Sequence, residues 1–407
     1  MNDIIVMKFG GSSVSDPEKI KSAADRVTEK AKKNDVVVVV SAPGDMTDDL
    51  ITKAKSITDM PDPREMDMLL ATGEIQSIAL LAMAIKSKGY DAISLTGPQA
   101  GIYADSTHTK AKIKKVRPEK ILEELKKDKI VIVAGFQGIN PNDDITTLGR
   151  GGSDLTAVAL ASALKAKECE IYTDVKGVYT TDPRMVPEAR KLDRISYDEM
   201  LELAGVGSQV MMARSIEVAK KYNVIIHVRS SFTDETGTLI TKEVPNMEDV
   251  VVSGIAYDKN ESKVSITDVP DHPGIAAKIF GRLAKANINV DMIIQSAARE
   301  RYNDISFTIS KNDLKNAVVL LRSISRRIGG GSVIYDDNVS KVSVVGIGMK
   351  SHPGVAAKMF DTLADEGINI EMISTSEIKI SCVISSRFTE RAVRVLHKKF
   401  GLDKVKK

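Results

Sequence analysis

The amino-acid sequence predicts an α/β protein in which a mostly parallel sheet packs between helices and is followed by two small repeated modules. Between Ile4 and about Arg229, short β-branched runs alternate with longer helical patterns, an alternation typical of parallel sheets. The stretch 230–249 is polar and rich in turn residues, and beyond it the chain repeats part of its own sequence. These observations indicate a large α/β domain, a linker and a duplicated C-terminal region.

Short apolar runs mark the strands of the large domain in chain order. Six of them have the composition of buried strands: Ile4–Met7, Val36–Val40, Ala92–Leu95, Ile130–Ala134, Ile171–Thr173 and Val224–Val228. After the first run, Ser15–Glu18 reads as a helix start with a capping residue and an early proline. The turn Lys8–Ser13 therefore joins a strand to a helix. Ligands of open α/β sheets bind at that edge, outside the carboxyl ends of the strands.

The C-terminal region repeats a strand, a Pro-Gly turn, a helix and a second strand. His272–Phe280 returns as His352–Phe360, and Ile288–Ile293 returns as Ile368–Ile373. We therefore expect a pair of small βαβ-type modules. The predicted domain limits are 1–229 for the α/β domain, 230–249 for the linker, 250–335 for the first module and 336–407 for the second.

The repeated modules allow two interpretations, a duplicated scaffold that packs or dimerises and a pair that binds a ligand. A Pro-Gly turn that enters a helix exposes N–H groups suited to a carboxylate. Asn289 and Asp291 follow at the next strand with groups suited to the head of an amino acid. These two features favour a sensor for a small amino acid.

The composition limits the classes of partner. The 58 basic and 55 acidic side chains nearly cancel, and no basic cluster is interleaved with aromatic residues, so no nucleic-acid partner is expected. Cys169 and Cys382 are far apart and the five histidines are scattered, so we predict no disulfide framework, metal site or Ser-His-Asp triad. No stretch approaches the length of a membrane span, and the N-terminus lacks a signal segment. We expect a cytoplasmic protein that acts on small molecules.

Two glycine-containing turns have the composition of anion-binding loops. The first, Lys8–Ser13, places a cation beside Gly10 and Gly11. The second, within Thr147–Ala157, surrounds one arginine with glycines and then begins an apolar helix. Bare N–H groups and helix N-termini favour phosphate or carboxylate, so two such turns predict two anionic substrates. Neither a Walker motif nor a Gly-x-Gly-x-x-Gly fingerprint after a strand occurs in the sequence.

Several side chains near these turns are candidates for ligand contacts, and each has a simpler alternative. Arg150 could pair with a carboxylate or belong to a flexible surface loop. Asp154 could orient Lys8 or only complement the dipole of its helix. Glu74 could hold an ammonium group or be solvated. The turn Thr173–Arg184 mixes an aromatic, acids and an arginine, which suits a nucleotide or a hydrogen-bonded surface loop.

Together these motifs resemble those of the aspartokinases, a family of the amino acid kinase superfamily. The resemblance rests on the repeated region and on four segments in chain order: Lys8–Ser13, Thr72–Glu74, Gly149–Asp154 and Thr173–Arg184. It implies the amino acid kinase fold followed by two βαββαβ ACT modules. It also implies ATP-dependent phosphorylation of the side-chain carboxylate of L-aspartate to 4-phospho-L-aspartate, with Mg2+ carried on ATP. That reaction begins the biosynthesis of lysine, methionine and threonine, and the missing Rossmann fingerprint implies the monofunctional form.

The resemblance also implies roles for individual residues. Lys8 would contact the transferring phosphate, Asp154 would orient Lys8, and no protein side chain would bind the metal. The residues implied for aspartate are Ser41, Thr47, Glu74, Arg150, Gly151, Gly152 and Ser153. Those implied for ATP are Lys8, Phe9, Gly10, Gly11, Ser12, Thr173, Asp174, Tyr179, Asp182, Arg184 and Gln209. Those implied for an effector are Asp271, Gly274, Ala276, Asn289, Asp291, Gln295, Val355, Asn369 and Ile370.

The ACT pair implies feedback inhibition by a pathway end product, either lysine or lysine together with threonine. ACT modules of the family pair between chains, which implies a homodimer or homotetramer, and residues 250–257 are expected to add a strand to the second module. Many members have a lysine where this chain has Gln209, which would leave one phosphate contact neutral or missing. Relatives often have Gln-Asn where this chain has Gln295 and Ser296, which leaves the choice of inhibitor open.

Two rival functions remain. Another enzyme of the superfamily, acting on acetylglutamate, glutamate, carbamate or a nucleoside monophosphate, could share the Lys8 turn, but Thr72–Glu74 and the tandem repeat argue against it. A non-catalytic regulator that binds an amino acid could retain the same fold. Intact Lys8, Arg150, Asp154 and Asp174 argue against that second alternative.

Overall fold

The chain divides into two compact units. The computed structural model describes residues 2–205, 210–242, 251–297, 301–350, 352 and 354–404. The first unit contains the described residues of Met1–Val178, Lys191–Gly205 and Gln209–Pro245, and the second contains those of Tyr179–Arg190 and Asn246–Lys407.

A mostly parallel sheet forms the centre of the first unit. The strands in its described part are β1 (Ile4–Phe9), β2 (Asp35–Val40), β3 (Ala92–Leu95), β4 (Ile102–Ala104), β5 (Ile113–Val116), β6 (Ile130–Ala134), β7 (Gln137–Ile139), β8 (Ile145–Thr147), β9 (Glu168–Thr173), β10 (Arg194–Ser196), β11 (Ile226–Ser230) and β12 (Thr238–Thr241). The main sheet has the order β10-β12-β11-β9-β1-β2-β6-β3, and its described neighbours are parallel except β11 and β12. A smaller sheet has the order β5-β4-β7-β8. The predicted parallel sheet is confirmed.

Helices cover both faces of the main sheet. They are α1 (Pro17–Ala31), α2 (Met46–Ile57), α3 (Pro63–Ser87), α4 (Glu119–Leu125), α5 (Gly152–Leu164), α6 (Tyr197–Gly205) and α7 (Ala213–Tyr222). Because side chains alternate along a strand, Met7 and Phe9 of β1 join the apolar core formed with α1 and α3. Lys8 points to the opposite face and meets Asp154 of α5. The sheet is therefore layered as the sequence predicts.

Helix α3 corrects one expectation from the sequence. Of the described helices, it alone is long and apolar enough to cross a membrane by length and composition, although no such stretch was predicted. Half of its most apolar part is buried inside the unit, and Leu81 and Ile85 are fully buried. It also carries two buried acids, Asp67 and Glu74. These are features of a core helix, because carboxylates are costly inside a bilayer.

The second unit contains an antiparallel sheet with helices. Its strands in the described residues are β13 (Gly254–Pro270), β14 (Val290–Gln295), β15 (Tyr302–Ser310), β16 (Val333–Val345), β17 (Ile370–Thr375) and β18 (Lys379–Ser385). Their order is β14-β15-β13-β16-β18-β17. The helices are α8 (Ile275–Lys285), α9 (Leu314–Ile328), α10 (Val355–Asp365) and α11 (Thr389–Lys399).

The long strand β13 takes part in both repeats. Its beginning, Gly254–Asp258, pairs with Val345–Lys341 of β16, and its later part pairs with β15. The two parts belong to different apolar cores: Ile255 packs with α10 and α11, whereas Val264 and Ile266 pack with α8 and α9. Each repeat thus builds its own core around one half of a shared strand.

The domain limits drawn from the sequence remain predictions. Residues 243–249 of the proposed linker and residue 250 of the first module lie outside the described residues. The segment Tyr179–Arg190 was placed in the α/β domain, but it is grouped with the second unit because Val186 packs in the core around α10 and α11.

Candidate active site

Lys8 and Asp154 form a buried ion pair at the edge of the main sheet. Lys8 is near the end of β1, and Asp154 is in the first turn of α5. Lys8 Nζ lies 2.7 Å from Asp154 Oδ1, and each side chain is only 11% exposed. The carboxylate oxygen is close enough for an ion pair but is not aligned for a hydrogen bond. A cation so placed retains the capacity to contact an anionic ligand.

Glycine is required at two positions in the turns beside this pair. A Cβ on Gly11 would lie 2.7 Å from the carbonyl oxygen of Ala42. Gly151 has a φ of +69°, and a Cβ there would lie 2.0 Å from Cγ of Met212. A side chain at position 11 would clash with the backbone, and one at position 151 would clash with the Met212 side chain in a strained backbone conformation. The glycines therefore let the two turns approach neighbouring segments closely.

The two turns meet at a cleft of about 230 Å³ in the first unit. The residues that line it are Lys8, Gly11, Ser41, Ala42, Gly44, Thr47, Glu74, Phe136, Arg150, Gly151, Gly152, Ser153 and Asp154. All the residues implied for aspartate are in this set, together with the Lys8–Asp154 pair. Segments that are distant in sequence, such as β1 and α5, therefore lie together at this cleft.

Glu74 supplies a buried acid to the cleft. It is 3% exposed, its Oε1 accepts a hydrogen bond from the backbone N–H of Ala42 at 3.1 Å, and its Oε2 has no hydrogen-bond partner among the described residues. Burial raises the pKa of Glu74 to about 7, although the Ala42 N–H opposes that shift. An ammonium group arriving at Oε2 would stabilise the ionised form. Glu74 therefore fits a cationic part of a ligand.

Arg150 supplies a cation at the rim of the same cleft. It is exposed on the turn between β8 and α5, and none of the described acids pairs with it. A guanidinium can form two parallel hydrogen bonds with a carboxylate. Ser41 and Thr47 line the cleft as well, and both are partly exposed. The cleft therefore offers a carboxylate receptor, an ammonium receptor and hydroxyl groups.

The side chain of Phe9, implied as an ATP contact, lies in the core. Phe9 is fully buried and stacks on Tyr172 with ring centroids 4.8 Å apart. The alternation of β1 explains this placement, because Phe9 faces α1 and α3 while Lys8 faces the cleft. Gly10 and Ser12 lie on the turn after β1 and are at least partly exposed. The Phe9 side chain therefore packs in the core, and the nucleotide contact implied for Phe9, which stays a prediction, would use its backbone groups.

The other residues implied for ATP are divided between the two units. Thr173 and Asp174 belong to the first unit, and the Thr173 hydroxyl donates to the Asp174 carboxylate at 3.0 Å. Tyr179, Asp182 and Arg184 belong to the second. Gln209 lies outside the described residues.

Asp182 is held by groups of the second unit. It forms an ion pair with Arg184 at 2.8 Å and accepts a hydrogen bond from the hydroxyl of Tyr257 at 3.0 Å. The guanidinium of Arg184 keeps the pKa of Asp182 below its usual range, although burial opposes that effect. The carboxylate is therefore ionised and fixed in orientation.

The residues implied for an effector lie at corresponding places in the two repeats. Most are exposed: Asp271, Gly274, Ala276, Asn289, Asp291, Gln295 and Asn369. The side chain of Val355, in contrast, is 8% exposed and belongs to an apolar core, and Ile370 packs against that core. These two positions can therefore offer an effector mainly backbone groups.

Asp291 already has a partner in the structure. It forms an ion pair with Lys341, whose Nζ also lies 2.6 Å from Glu261. Lys263 of the first repeat pairs in the same way with Glu371 of the second at 3.1 Å. Each repeat therefore contributes a lysine that forms an ion pair with an acid of the other repeat.

The sequence interpretation missed three residues that line the cleft, Ala42, Gly44 and Phe136. Ala42 and Gly44 follow β2, and Phe136 follows β6. The rule that drew attention to Lys8, namely that ligands bind after the carboxyl ends of parallel strands, applies equally to these positions. That rule could have found them.

One cluster outside the cleft has the composition of a metal site but not its chemistry. Oxygen and nitrogen atoms of Glu168, Glu170 and His227 lie within 4.8 Å of one another. However, Glu170 is fully buried and bonded to Lys30 at 2.7 Å and to Arg229 at 3.1 Å. These two cations already neutralise the carboxylate, so the cluster does not fit a metal ion.

Comparisons with known proteins agree with the fold and the cleft. A model of the amino acid kinase family matches residues 3–230, and an ACT domain model matches residues 264–323 and 342–400. An aspartokinase of Pseudomonas aeruginosa is 52% identical over 403 residues, which cover 98% of each chain.

Two structures of one relative also match over nearly the whole chain. Escherichia coli aspartokinase III in complex with aspartate and ADP is 25% identical with a TM-score of 0.83, and 98% of this chain and 99% of that chain are covered. The same protein with lysine and aspartate gives the same identity and coverage with a TM-score of 0.76.

The fold and the cleft are those of an amino-acid kinase with regulatory ACT modules. With half of its residues identical to a full-length relative, the chain belongs to the aspartokinases of the amino acid kinase family. Its enzymatic activity is that of an aspartate kinase.

Proposed function

We propose that the chain transfers the γ-phosphoryl group of ATP to the side-chain carboxylate of L-aspartate and so forms 4-phospho-L-aspartate. The observation that carries the proposal is the buried Lys8–Asp154 pair in a cleft that also contains Glu74 and Arg150. In this cleft a cation for phosphate is close to receptors for an amino acid. The E. coli relative was solved with aspartate and ADP, which supports the same pair of ligands here.

The chemistry needs no general base from the protein. A carboxylate is ionised at neutral pH, so its oxygen attacks the γ-phosphorus directly and the bond to the β,γ-bridging oxygen breaks. No proton moves, and ADP leaves with the electron pair. Catalysis then depends on positioning and on neutralising phosphate charge. Lys8 supplies that charge, and Asp154 orients its ammonium group. The backbone N–H groups of Gly11 and Ser12 donate to phosphate oxygens, since that of Gly10 already donates to the carbonyl oxygen of Tyr172 at 3.3 Å.

L-aspartate is recognised by its charged groups at the α-carbon. The buried Oε2 of Glu74 accepts the ammonium group, and the exposed guanidinium of Arg150 pairs with the α-carboxylate. Ser41, Thr47 and Ser153 provide further hydrogen bonds. These contacts leave the side-chain carboxylate facing Lys8.

Within the first unit, ATP is held by the first glycine turn, by Thr173 at the end of β9 and by Asp174 directly after it. Mg2+ enters on the phosphates of ATP, where it reduces the negative charge that would repel the aspartate carboxylate.

Regulation belongs to the two ACT modules. The relative solved with lysine supports lysine as the effector, and lysine acting together with threonine is the second choice. The exposed positions of both repeats would supply the binding groups. The chain would form a homodimer or homotetramer through these modules. It would act in the cytoplasm at the first step toward lysine, methionine and threonine.

The test is to incubate the purified chain with magnesium-ATP and L-aspartate and to trap the acyl phosphate with hydroxylamine. We expect aspartyl hydroxamate together with an equal amount of ADP, and less of both when lysine, or lysine with threonine, is added. Hydroxamate from acetylglutamate or glutamate but not from aspartate would favour another kinase of the superfamily. Lysine binding without ADP formation from any carboxylate would identify a non-catalytic regulator.

A further inference from the structure

We infer that Asp67 is a positioning residue for aspartate binding, because it fixes the turn that carries Arg150 relative to Glu74. The inference rests on the proposed function of these two residues. Asp67 itself does not line the cleft and would not touch the substrate. It is a fully buried acid that takes no part in the proposed reaction.

The Asp67 carboxylate is surrounded by hydrogen-bond donors from outside its own helix. Its Oδ1 accepts from the Thr147 hydroxyl at 2.5 Å, and its Oδ2 lies 2.7 Å from Nδ1 of His108. The backbone N–H of Thr109 donates to both oxygens at 3.1 Å. Because a carboxylate can only accept, the Nδ1 of His108 carries the proton. These bonds compensate for the burial of the charge.

The donors connect Asp67 to the second glycine turn. Thr147 is the last residue of β8, two positions before Gly149, so the hydroxyl held by Asp67 is next to the start of the turn. The carbonyl of Thr147 also accepts from the backbone N–H of Ala111 at 2.9 Å. Asp67 therefore fixes the strand end through its side chain, while the neighbouring loop fixes its backbone.

A second group holds the same strand end from the other side. Arg214 donates to the carbonyl oxygens of Leu148 at 2.9 Å and Ala111 at 2.7 Å. The turn is thus braced immediately before Gly149, and within the turn Arg150 has no acid partner among the described residues. Positioning of Arg150 therefore depends on the strand that precedes it.

Helix α3 connects this anchor to the ammonium receptor. Asp67 and Glu74 are seven residues apart, about two turns, and so lie on the same side of α3. One rigid helix therefore sets both the position of the Glu74 carboxylate and the position of the turn that carries Arg150. The ammonium and α-carboxylate groups of an amino acid have a fixed separation, so their two receptors must keep a matching distance. The hydrogen bonds of Asp67 maintain this distance.

The test uses Thr147→Val, which removes the hydroxyl but keeps the shape, and Asp67→Asn, which keeps the size but not the charge. Steady-state kinetics of hydroxamate formation would give kcat and both KM values. We expect KM for aspartate to rise about ten-fold in each variant, as for loss of a hydrogen bond to a charged group, with KM for ATP within about two-fold. In the double variant the two effects should add only in part, because Thr147→Val removes one of the hydrogen bonds that Asp67→Asn weakens.

The matched control is Thr28→Val, in which a buried hydroxyl bonded only to its own helix is removed by the same substitution. It should leave both KM values unchanged. If a variant at Asp67 or Thr147 does not fold, His108→Gln replaces it, since His108 is partly exposed. Equal changes in both KM values would show a merely structural role, and full additivity in the double variant would show that Asp67 and Thr147 act independently; either result would overturn the inference. Wild-type chain that forms no aspartyl hydroxamate would instead overturn the proposed function, and the anchor with it.

Discussion

Two buried lysines of this molecule have opposite surroundings. Lys8 of the first unit pairs with one acid, Asp154, and opens onto a cleft. Lys341 of the second unit is 3% exposed and pairs with two acids, Glu261 and Asp291. The charges of Lys8 and its single acid balance beside an opening, where a further anion can approach the ammonium group. The two acids at Lys341 exceed its charge, so that site repels a further anion. The comparison shows that burial of a lysine alone does not identify a functional site.

The largest effect is expected for Lys8→Ala. Without the ammonium group nothing at this position neutralises the transferring phosphate, so kcat should fall on the order of a thousand-fold. Lysine binding should be nearly unchanged, because Lys8 belongs to the first unit and the ACT modules to the second. Hydroxamate kinetics and calorimetry with lysine measure the two quantities. Lys19→Ala, which breaks an exposed pair with Asp16, is the control, and equal loss of both quantities in Lys8→Ala would mean unfolding.

Lys341→Met should show how much the ion pairs of Lys341 stabilise the fold. Removing one partner of a buried ion pair leaves uncompensated charge, so the free energy of unfolding should fall by about 3–5 kcal/mol. Urea unfolding measures this change. The control is Lys263→Met, the corresponding position of the first repeat, whose pair with Glu371 is about a quarter exposed and should contribute under about 1 kcal/mol. Similar losses in both variants would contradict a larger contribution of the buried Lys341 to stability.

Glu74→Gln should raise the stability of the fold at alkaline pH and weaken the binding of aspartate. In the folded state the pKa of Glu74 is about 7, above its unfolded value, so the folded state binds the proton more tightly. The stabilisation from this bound proton is complete below the unfolded pKa and is lost as pH rises through 7. Ionised Glu74 therefore destabilises the fold at pH 8. The variant should therefore gain about 3 kcal/mol at pH 8 and nothing at pH 4.

Thermal unfolding at the two pH values, with and without aspartate, checks this prediction. For the wild-type chain the same titration predicts that kcat/KM for aspartate falls as pH decreases through about 7, since protonated Glu74 cannot accept an ammonium group. A stability difference between variant and wild type that does not depend on pH would rule out this role of burial at Glu74.

The smallest effect is expected for Arg150→Ala. The exposed guanidinium contributes to binding without being buried, so KM for aspartate should rise about ten-fold while kcat changes little. The matched control is Arg64→Ala, which removes an arginine paired on the surface with Asp144. An unchanged KM for aspartate would remove Arg150 from the binding site.

Much of the fold was predictable because it depends on local patterns. The alternation of strands and helices predicted the parallel sheet, and the internal repeat predicted the paired modules. The same alternation within β1 predicts that Phe9 and Lys8 point to opposite faces, so the Phe9 side chain packs in the core while Lys8 faces the cleft. A motif carried over as a block does not separate the two side chains in this way.

Other features could not be predicted from the sequence. The hydrogen bond between Tyr257 and Asp182 joins positions 75 residues apart, and no local signal connects them. The same is true of Asp67 and Thr147, which are 80 residues apart. Such contacts depend on how helices and strand ends pack in three dimensions, and composition or spacing does not encode that information.

The shared strand β13 has a consequence for how such chains can be recombined. Its first half completes the sheet of the second repeat and its second half belongs to the first, although the chain passes through the whole first repeat between Asp258 and Lys341. A chimera that exchanged only the second repeat would pair it with a foreign strand, and one that exchanged only the first would remove a strand from the second. The two repeats are therefore best exchanged together, with a junction upstream of Gly254, and with the segment Tyr179–Arg190 that packs on the second repeat.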